Sequence, residues 1–226
     1  MVAKKTSAGT AKAIFIPPLQ KKRMALWVVG DSPLIVHAWS PLARSQMLKK
    51  QLGMPTQKRA PKDPQAQIDA CFYLTPDGYY GMRANAFKQA AVGACRFVDA
   101  KMTEARGMFF VLGETVKIYG ADPVAREDMV RLSGQTADIR YRPMFPDWAC
   151  ELEIEYDASV TTPEQLANLF NRAGMAPGVG DWRPEKNGNF GRFHVADSAE
   201  AKKYAQRIPQ VGSCVIGDLG LDDAAA

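Results

Sequence analysis

Histidine is almost missing from this chain: 226 residues hold two, His37 and His194. Cysteine is sparse as well. The four present (Cys71, Cys95, Cys150, Cys214) form neither a CxxC pair nor a compact disulfide spacing. These shortages argue against a zinc centre and against a disulfide-stapled secreted domain. The expected state is free, buried thiols in a reducing compartment, the cytoplasm. No apolar run approaches the roughly 18 residues of a spanning helix, so no membrane partner is expected. Residues 1–12 mix Lys with Ser, Gly and Thr and lack the apolar stretch of a secretory signal. The phosphate loop GxxxxGK[ST] is absent, as are HExxH and GxSxG, and with them the commonest nucleotidase, metalloprotease and serine-hydrolase readings. No cofactor and no metal is expected.

Acidic residues are scarce in one place. Residues 1–62 hold twelve Lys and Arg side chains and a single acid, Asp31, a net of +11 that leaves −6 for the rest of a chain whose total is +5. Such asymmetry between segments points to a polyanionic partner, although a solvated tail accounts equally well for the first stretch. Hydrophobic residues at 46% exclude a disordered chain, and Gly 18 with Pro 15 excludes collagen-like composition.

Residues 1–23 read as a flexible basic N-terminal arm. Met24 to His37 is apolar and β-branched, giving two short strand pieces. Residues 40–67, with four prolines and six basic groups, read as a long basic loop inserted in the domain, with a short helix around Leu42 to Leu52. Pro76-Asp77-Gly78 between two β-type runs predicts a hairpin. Asn85 is then the expected cap of a helix burying Phe87, Ala90, Ala91, Ala94, Cys95 and Val98 at helical spacing. Phe109 to Tyr119 reads as one strand bent at Gly113, and Asp122 to Asp138 as a polar bridge to Ile139–Tyr141. Cys150 to Tyr156 alternates strictly, which buries Leu152, Ile154 and Tyr156 and leaves Glu151, Glu153 and Glu155 on a solvated face. Thr162, Pro163 and Gln165 open a capped helix that Gly174 is expected to end. A glycine-rich loop, a strand near Arg192 to Val195, a helix over Ala199 to Ile208 and an acidic tail complete residues 177–226. Stripped of insertions, the order is the β-α-β-β-α-β of an α+β, ferredoxin-like, RRM-type plait spanning residues 24–197, with 198–226 as C-terminal helix and tail.

Chemistry concentrates in GVGDWRPEKNGNFGRF, residues 178–193. Gly178, Gly180, Gly188 and Gly191 allow close backbone approach, while Trp182, Arg183, Lys186, Phe190 and Arg192 offer stacking and charge to a single-stranded nucleic acid. Packing of the Trp and Phe onto the domain is the alternative reading. Arg44, Lys49, Lys50, Lys58, Arg59 and Lys62 in the insertion supply an electrostatic footprint. Arg83 and Lys88 stand where the helix after the hairpin begins. His37, at the end of an apolar strand, is a candidate acid or base for RNA cleavage, with a structural histidine the commoner role.

Three stretches add a resemblance: Gly30-Asp-Ser-Pro-Leu-Ile35; Asp77-Gly78 through Arg83-Ala-Asn-Ala-Phe-Lys88 to Arg96; and the glycine loop after a capped helix. In that order they are similar to the RAMP superfamily, which includes backbone and processing subunits of CRISPR effector complexes. The resemblance implies a non-catalytic subunit that binds guide-like single-stranded RNA, self-associates into a filament along it, joins other complex subunits and serves antiviral defence. Some members cut target RNA with an Asp in the loop after the first strand. That loop here, His37 to Pro64, has only Asp63 at its far end, so the resemblance argues against target cleavage. Two other readings stay open: an RNA-processing endoribonuclease using His37, and a structural or assembly protein, cellular or viral, that binds single-stranded DNA.

Overall fold

The computed structural model describes residues 18–55, 61–131 and 137–217. Alternation organises the first strand: β1 (Lys21–Gly30) sends Leu26 and Val28 into the main core and Trp27 and Val29 to the opposite face. Next come β2 (Leu34–Ile35), α1 (Pro41–Gln51), α2 (Pro64–Asp69) and the hairpin of β3 (Tyr73–Leu74) and β4 (Tyr80–Arg83). The chain continues through α3 (Ala84–Ala94), α4 (Met102–Met108), β5 (Phe109–Val111), β6 (Thr115–Gly120) and a second hairpin, β7 (Val124–Arg131) with β8 (Ala137–Phe145). It closes with β9 (Trp148–Asp157), α5 (Pro163–Met175), β10 (Phe193–Val195) and α6 (Ser198–Ala205).

Among the described residues the architecture is mixed α+β with two antiparallel sheets. The larger runs β10-β1-β9-β6-β4-β3, with β5 also on β9; the smaller runs β2-β8-β7. β9 is the spine. Trp148, Cys150, Leu152 and Ile154 are all fully buried on its core side. One edge pairs with β1, while β6 takes the first half of the other edge and β5 the second. α3 and α5 pack on each other and, through Phe87, Ala91, Leu166 and Phe170, into the core of the large sheet. α6 lies against β1 and β6, its Tyr204 meeting Val29 and Ala149 of the second, smaller core.

Several expectations are corrected. Lys21, Lys22 and Arg23, assigned to the arm, are the first residues of β1; Lys21 and Arg23 pair with Glu155 and Glu153 of β9, so cross-strand charge pairs extend the ladder past the apolar stretch. In the expected basic loop over 40–67, the short helix expected around Leu42 to Leu52 is present as α1, capped by Ser40 and with no residue buried, and the described residues add a second helix, α2, capped by Asp63. Asn85 does not cap α3; Arg83 holds that position without a side-chain cap bond, because β4 runs directly into the helix. Phe109–Tyr119 is two strands, since Gly113 turns at φ 83° between them. The polar bridge from Asp122 is β7, whose ladder with β8 holds it in the sheet despite its charges. Gly174 does not end α5: it sits inside the helix, where an added Cβ would lie 1.7 Å from the Phe193 carbonyl oxygen. The capping box at Thr162 and Gln165 is present as expected. α6 starts one residue early, at Ser198, because Asp197 and Glu200 form a second box. Residues 1–17, including most of the arm, and the acidic tail from 218 lie outside the described residues.

Candidate nucleic-acid interface

The glycine loop is laced onto the segment after β1. Asp181 N–H donates to the Ile35 carbonyl (2.9 Å), Gly191 N–H to Pro33 (2.8 Å) and Arg192 N–H to Ser32 Oγ (3.0 Å). Two of its glycines are needed for this closure. A Cβ at Gly188 would lie 1.7 Å from the Trp182 carbonyl oxygen, and one at Gly191, whose φ is 66°, would lie 1.7 Å from that of Val179. Much of the glycine content thus closes the loop on itself. Trp182, with φ 54° and 43% exposure, stands at the surface.

Beside the loop, a cleft of about 350 Å³ opens against α3. Among the residues lining it are His37, Arg83, Arg96, Asp181, Arg183 and Glu185. Glu185 ties the two walls together: its Oε1 accepts from Arg96 Nη2 (3.0 Å) and its Oε2 from Arg183 Nη2 (2.9 Å). Burial pushes this carboxyl up, but Arg183 and then Arg96 outweigh it and hold it below the usual range. Arg183 Nη1 also donates to the Gly180 carbonyl (3.1 Å), so its guanidinium is fixed from both sides.

A chain of charges stands behind the cleft. His37 Nδ1 is 3.1 Å from Asp181 Oδ2, and Arg142 Nε is 3.2 Å from the same oxygen. Arg142 reaches Asp128 at 3.4 Å, and Asp128 in turn takes Arg126 at 2.7 Å. Arg126 lies over the Phe190 ring, 4.8 Å from its centre. Asp181 is driven up by burial, yet His37, Arg142 and Arg183 overcome this and keep it lowered. Tyr73 Oη donates to the His37 carbonyl at 3.1 Å, so a tyrosine does stand beside His37, which the sequence did not show.

The structure gathers only part of the expected site. Arg83, Gly178, Gly180, Arg183 and His37 line the cleft; Lys88, Trp182, Lys186, Gly188, Gly191 and Arg192 do not. Lys88 sits over the Phe110 ring at 3.6 Å, and burial lowers its affinity for the proton. Arg192 buries its Nε without a hydrogen-bond partner among the described residues. Arg44, Lys49 and Lys50 are exposed on α1, and Lys62 is bound to Asp138 and to the Ile139 carbonyl of β8. Lys58 and Arg59 lie outside the described residues. Arg96, Glu185, Asp181 and Arg142 were not foreseen as site residues. Arg96, Asp181 and Glu185 lay in stretches already singled out, whereas nothing local marks Arg142. His194 is placed elsewhere, between Asp31 (2.7 Å) and Glu200 (3.3 Å).

Among the described residues, no group of three or more His, Cys, Asp or Glu side chains is placed to hold a metal, and no helix is long and apolar enough to cross a membrane. No family model matches the chain, and no curated protein matches it. Among solved structures, the crystal structure of Cmr6 from Pyrococcus furiosus is similar over 79% of this chain and 100% of that one, at 12% identity and a TM-score of 0.39. A likeness that distant carries no argument about function.

Proposed function

We propose that this chain binds single-stranded RNA without cutting it, on a ferredoxin-like plait of RAMP type. The observation that carries the reading is the cleft: Arg83 from the β4–α3 junction, Arg96 from the turn just after α3 and Arg183 from the glycine loop converge on one space, opposed by Asp181 and Glu185. Backbone phosphates are the natural ligand for guanidinium groups set at several angles. The strand order β10-β1-β9-β5, antiparallel throughout with α3 and α5 packed on its core, supports the plait. α1 supports the thumb-like part of the reading: it exposes Arg44, Lys49 and Lys50 together with Leu42, Met47 and Leu48. The same exposed apolar side chains support self-association along the strand and contact with further subunits. Four buried free thiols fit a cytoplasmic chain.

The test is fluorescence anisotropy with single-stranded RNA, single-stranded DNA and duplex over a salt series. Affinity for single-stranded RNA should fall with a log–log slope of about −0.7 per phosphate held. Arg83→Ala with Arg183→Ala should flatten that slope by about one to two phosphates. Binding that ignores salt overturns the reading, and a preference for single-stranded DNA or duplex replaces its ligand.

One observation favours a second reading, metal-independent RNA cleavage. Asp181 holds Nδ1 of His37, which leaves Nε2 as the nitrogen to exchange a proton in the cleft. Labelled RNA incubated with the protein in EDTA should then give products, lost in His37→Ala. Intact RNA after prolonged incubation removes this reading.

A further inference from the structure

The cleft is chemically two-sided, and a pure phosphate site would not be. Ala86, Ala90 and Gly93 line it from α3 at i, i+4 and i+7, with Gln89 at i+3 beside them; Ala86 is half-buried, Ala90 is buried, and Arg96 and Pro177 cover the Gly93 end. Met82 of β4 and Met102 of α4 extend this apolar surface. A phosphate needs no such wall, and apolar area left facing it would add nothing to its binding. Flat, small-residue surfaces flanked by thioethers suit a planar ring instead.

The polar groups around the same space are also more varied than a phosphate requires. Gln89 carries both a donor and an acceptor, Glu185 accepts only, and Tyr73 has a hydroxyl. Amide and carboxylate side chains are the groups that read the hydrogen-bonding edge of an unstacked base. The cleft's volume of about 350 Å³ stands at the small end of the range of about 300–1,000 Å³ usual for ligand pockets. That is room for one nucleotide and not for a run of them.

We propose that the cleft admits one unpaired nucleotide of the bound strand. Its base lies against Ala86 of α3 and Met102 of α4, its edge meets Gln89 and Glu185, and its phosphate rests on Arg83 and Arg183. This rests on the RNA-binding reading for the longer strand but specifies what the site itself takes. Because Glu185 is already fixed by Arg96 and Arg183, it presents its remaining lone pairs in a set direction, which a mobile surface carboxylate would not.

Two measurements on the full chain test this separately from the parent reading. In the first, an RNA oligomer is scanned with single abasic sites. One position should lose about tenfold in affinity, the size of one stacking contact, while its neighbours change less than about twofold. In the second, isothermal titration compares nucleoside 5′-monophosphates with ribose 5-phosphate, which lacks the base. The nucleotides should bind at least about tenfold more tightly. Ala86→Phe, which fills the apolar side of the cleft, should remove both effects. Gln89→Ala, at an exposed position that leaves folding intact, should weaken nucleotide binding several-fold without changing ribose 5-phosphate binding. Salt-dependent RNA binding with no abasic position effect and no nucleotide preference overturns the nucleotide slot while the RNA reading survives. Nucleotide binding without binding of the longer strand supports the slot and removes the parent reading. Failure of both ligands overturns both.

Discussion

Replacing Arg142 by Met tests the charge chain behind the cleft. The Arg142 side chain is only 7% exposed and stands between Asp128 at 3.4 Å and Asp181 at 3.2 Å. Removing one partner of a buried pair costs about 3–5 kcal/mol when it strands the other charge. Here neither carboxylate is fully stranded. Arg126 stays 2.7 Å from Asp128, and Asp181, with 35% of its side chain exposed, keeps His37 at 3.1 Å. The expected loss is therefore smaller, about 1.5–3 kcal/mol. For a chain of this length, at about 2–4 °C per kcal/mol, that is a fall in Tm of about 3–12 °C. Urea melts followed by circular dichroism give the free energy, with an unchanged m value as the sign that the folded state is the same. The double variant Arg142→Met, Asp128→Leu removes both buried charges and should recover to within about 1 kcal/mol of the parent protein. A single variant as stable as the parent to about 0.5 kcal/mol, or a double variant no better than the single, would refute the reasoning.

Other outcomes follow from the same geometry. His194 lies between two carboxylates; burial alone would lower its proton affinity, but Asp31 and Glu200 outweigh it and raise it. Its contribution should be fully present below the unfolded value of about 6.5 and vanish as pH rises through the higher folded value. With the ring 37% exposed, solvent screening keeps this under about 1 kcal/mol, and His194→Gln should abolish that part of the pH dependence of Tm. Gly174→Ala should destabilise by at least about 1–3 kcal/mol, read in the same melts, because the new Cβ would overlap the Phe193 carbonyl oxygen. Burial pushes all four thiols up, Cys71 and Cys214 to about 11, so a thiol-reactive dye at pH 8 should label almost nothing until denaturant is added. Thr162→Ala should cost about 1 kcal/mol through loss of the cap on α5, measured in the same way.

Elements whose information is local were legible in the sequence. The alternation of Cys150 to Tyr156, the Thr162 capping box and the Pro76-Asp77-Gly78 turn each express their structure within a few residues. β7 was not legible: its eight residues VAREDMVR show no clean alternation, and only pairing with β8 over its whole length makes it a strand. The break at Gly113 was visible, but that both halves would line up along β9 was not. Gly174 reads like a helix terminator and is instead a contact glycine, because the requirement comes from β10, nearly twenty residues further on.

The site divides along the same line. Residue types and their clustering, an arginine- and tryptophan-bearing glycine loop and a basic N-terminal third, were set by the sequence alone, since composition and local spacing suffice to state them. Which of those residues share a space was decided by tertiary structure. Arg83 and Arg183 meet across the cleft, Lys62 is spent on Asp138, and Lys88 turns to Phe110. Glu185 and Asp181, the acids within that loop, become the groups that fix the cationic side chains. The physical reason is range. Backbone propensity, capping and alternation act between neighbours, whereas a cleft is made by burial and ion pairing between segments far apart in the chain, and only the packed chain brings them within reach.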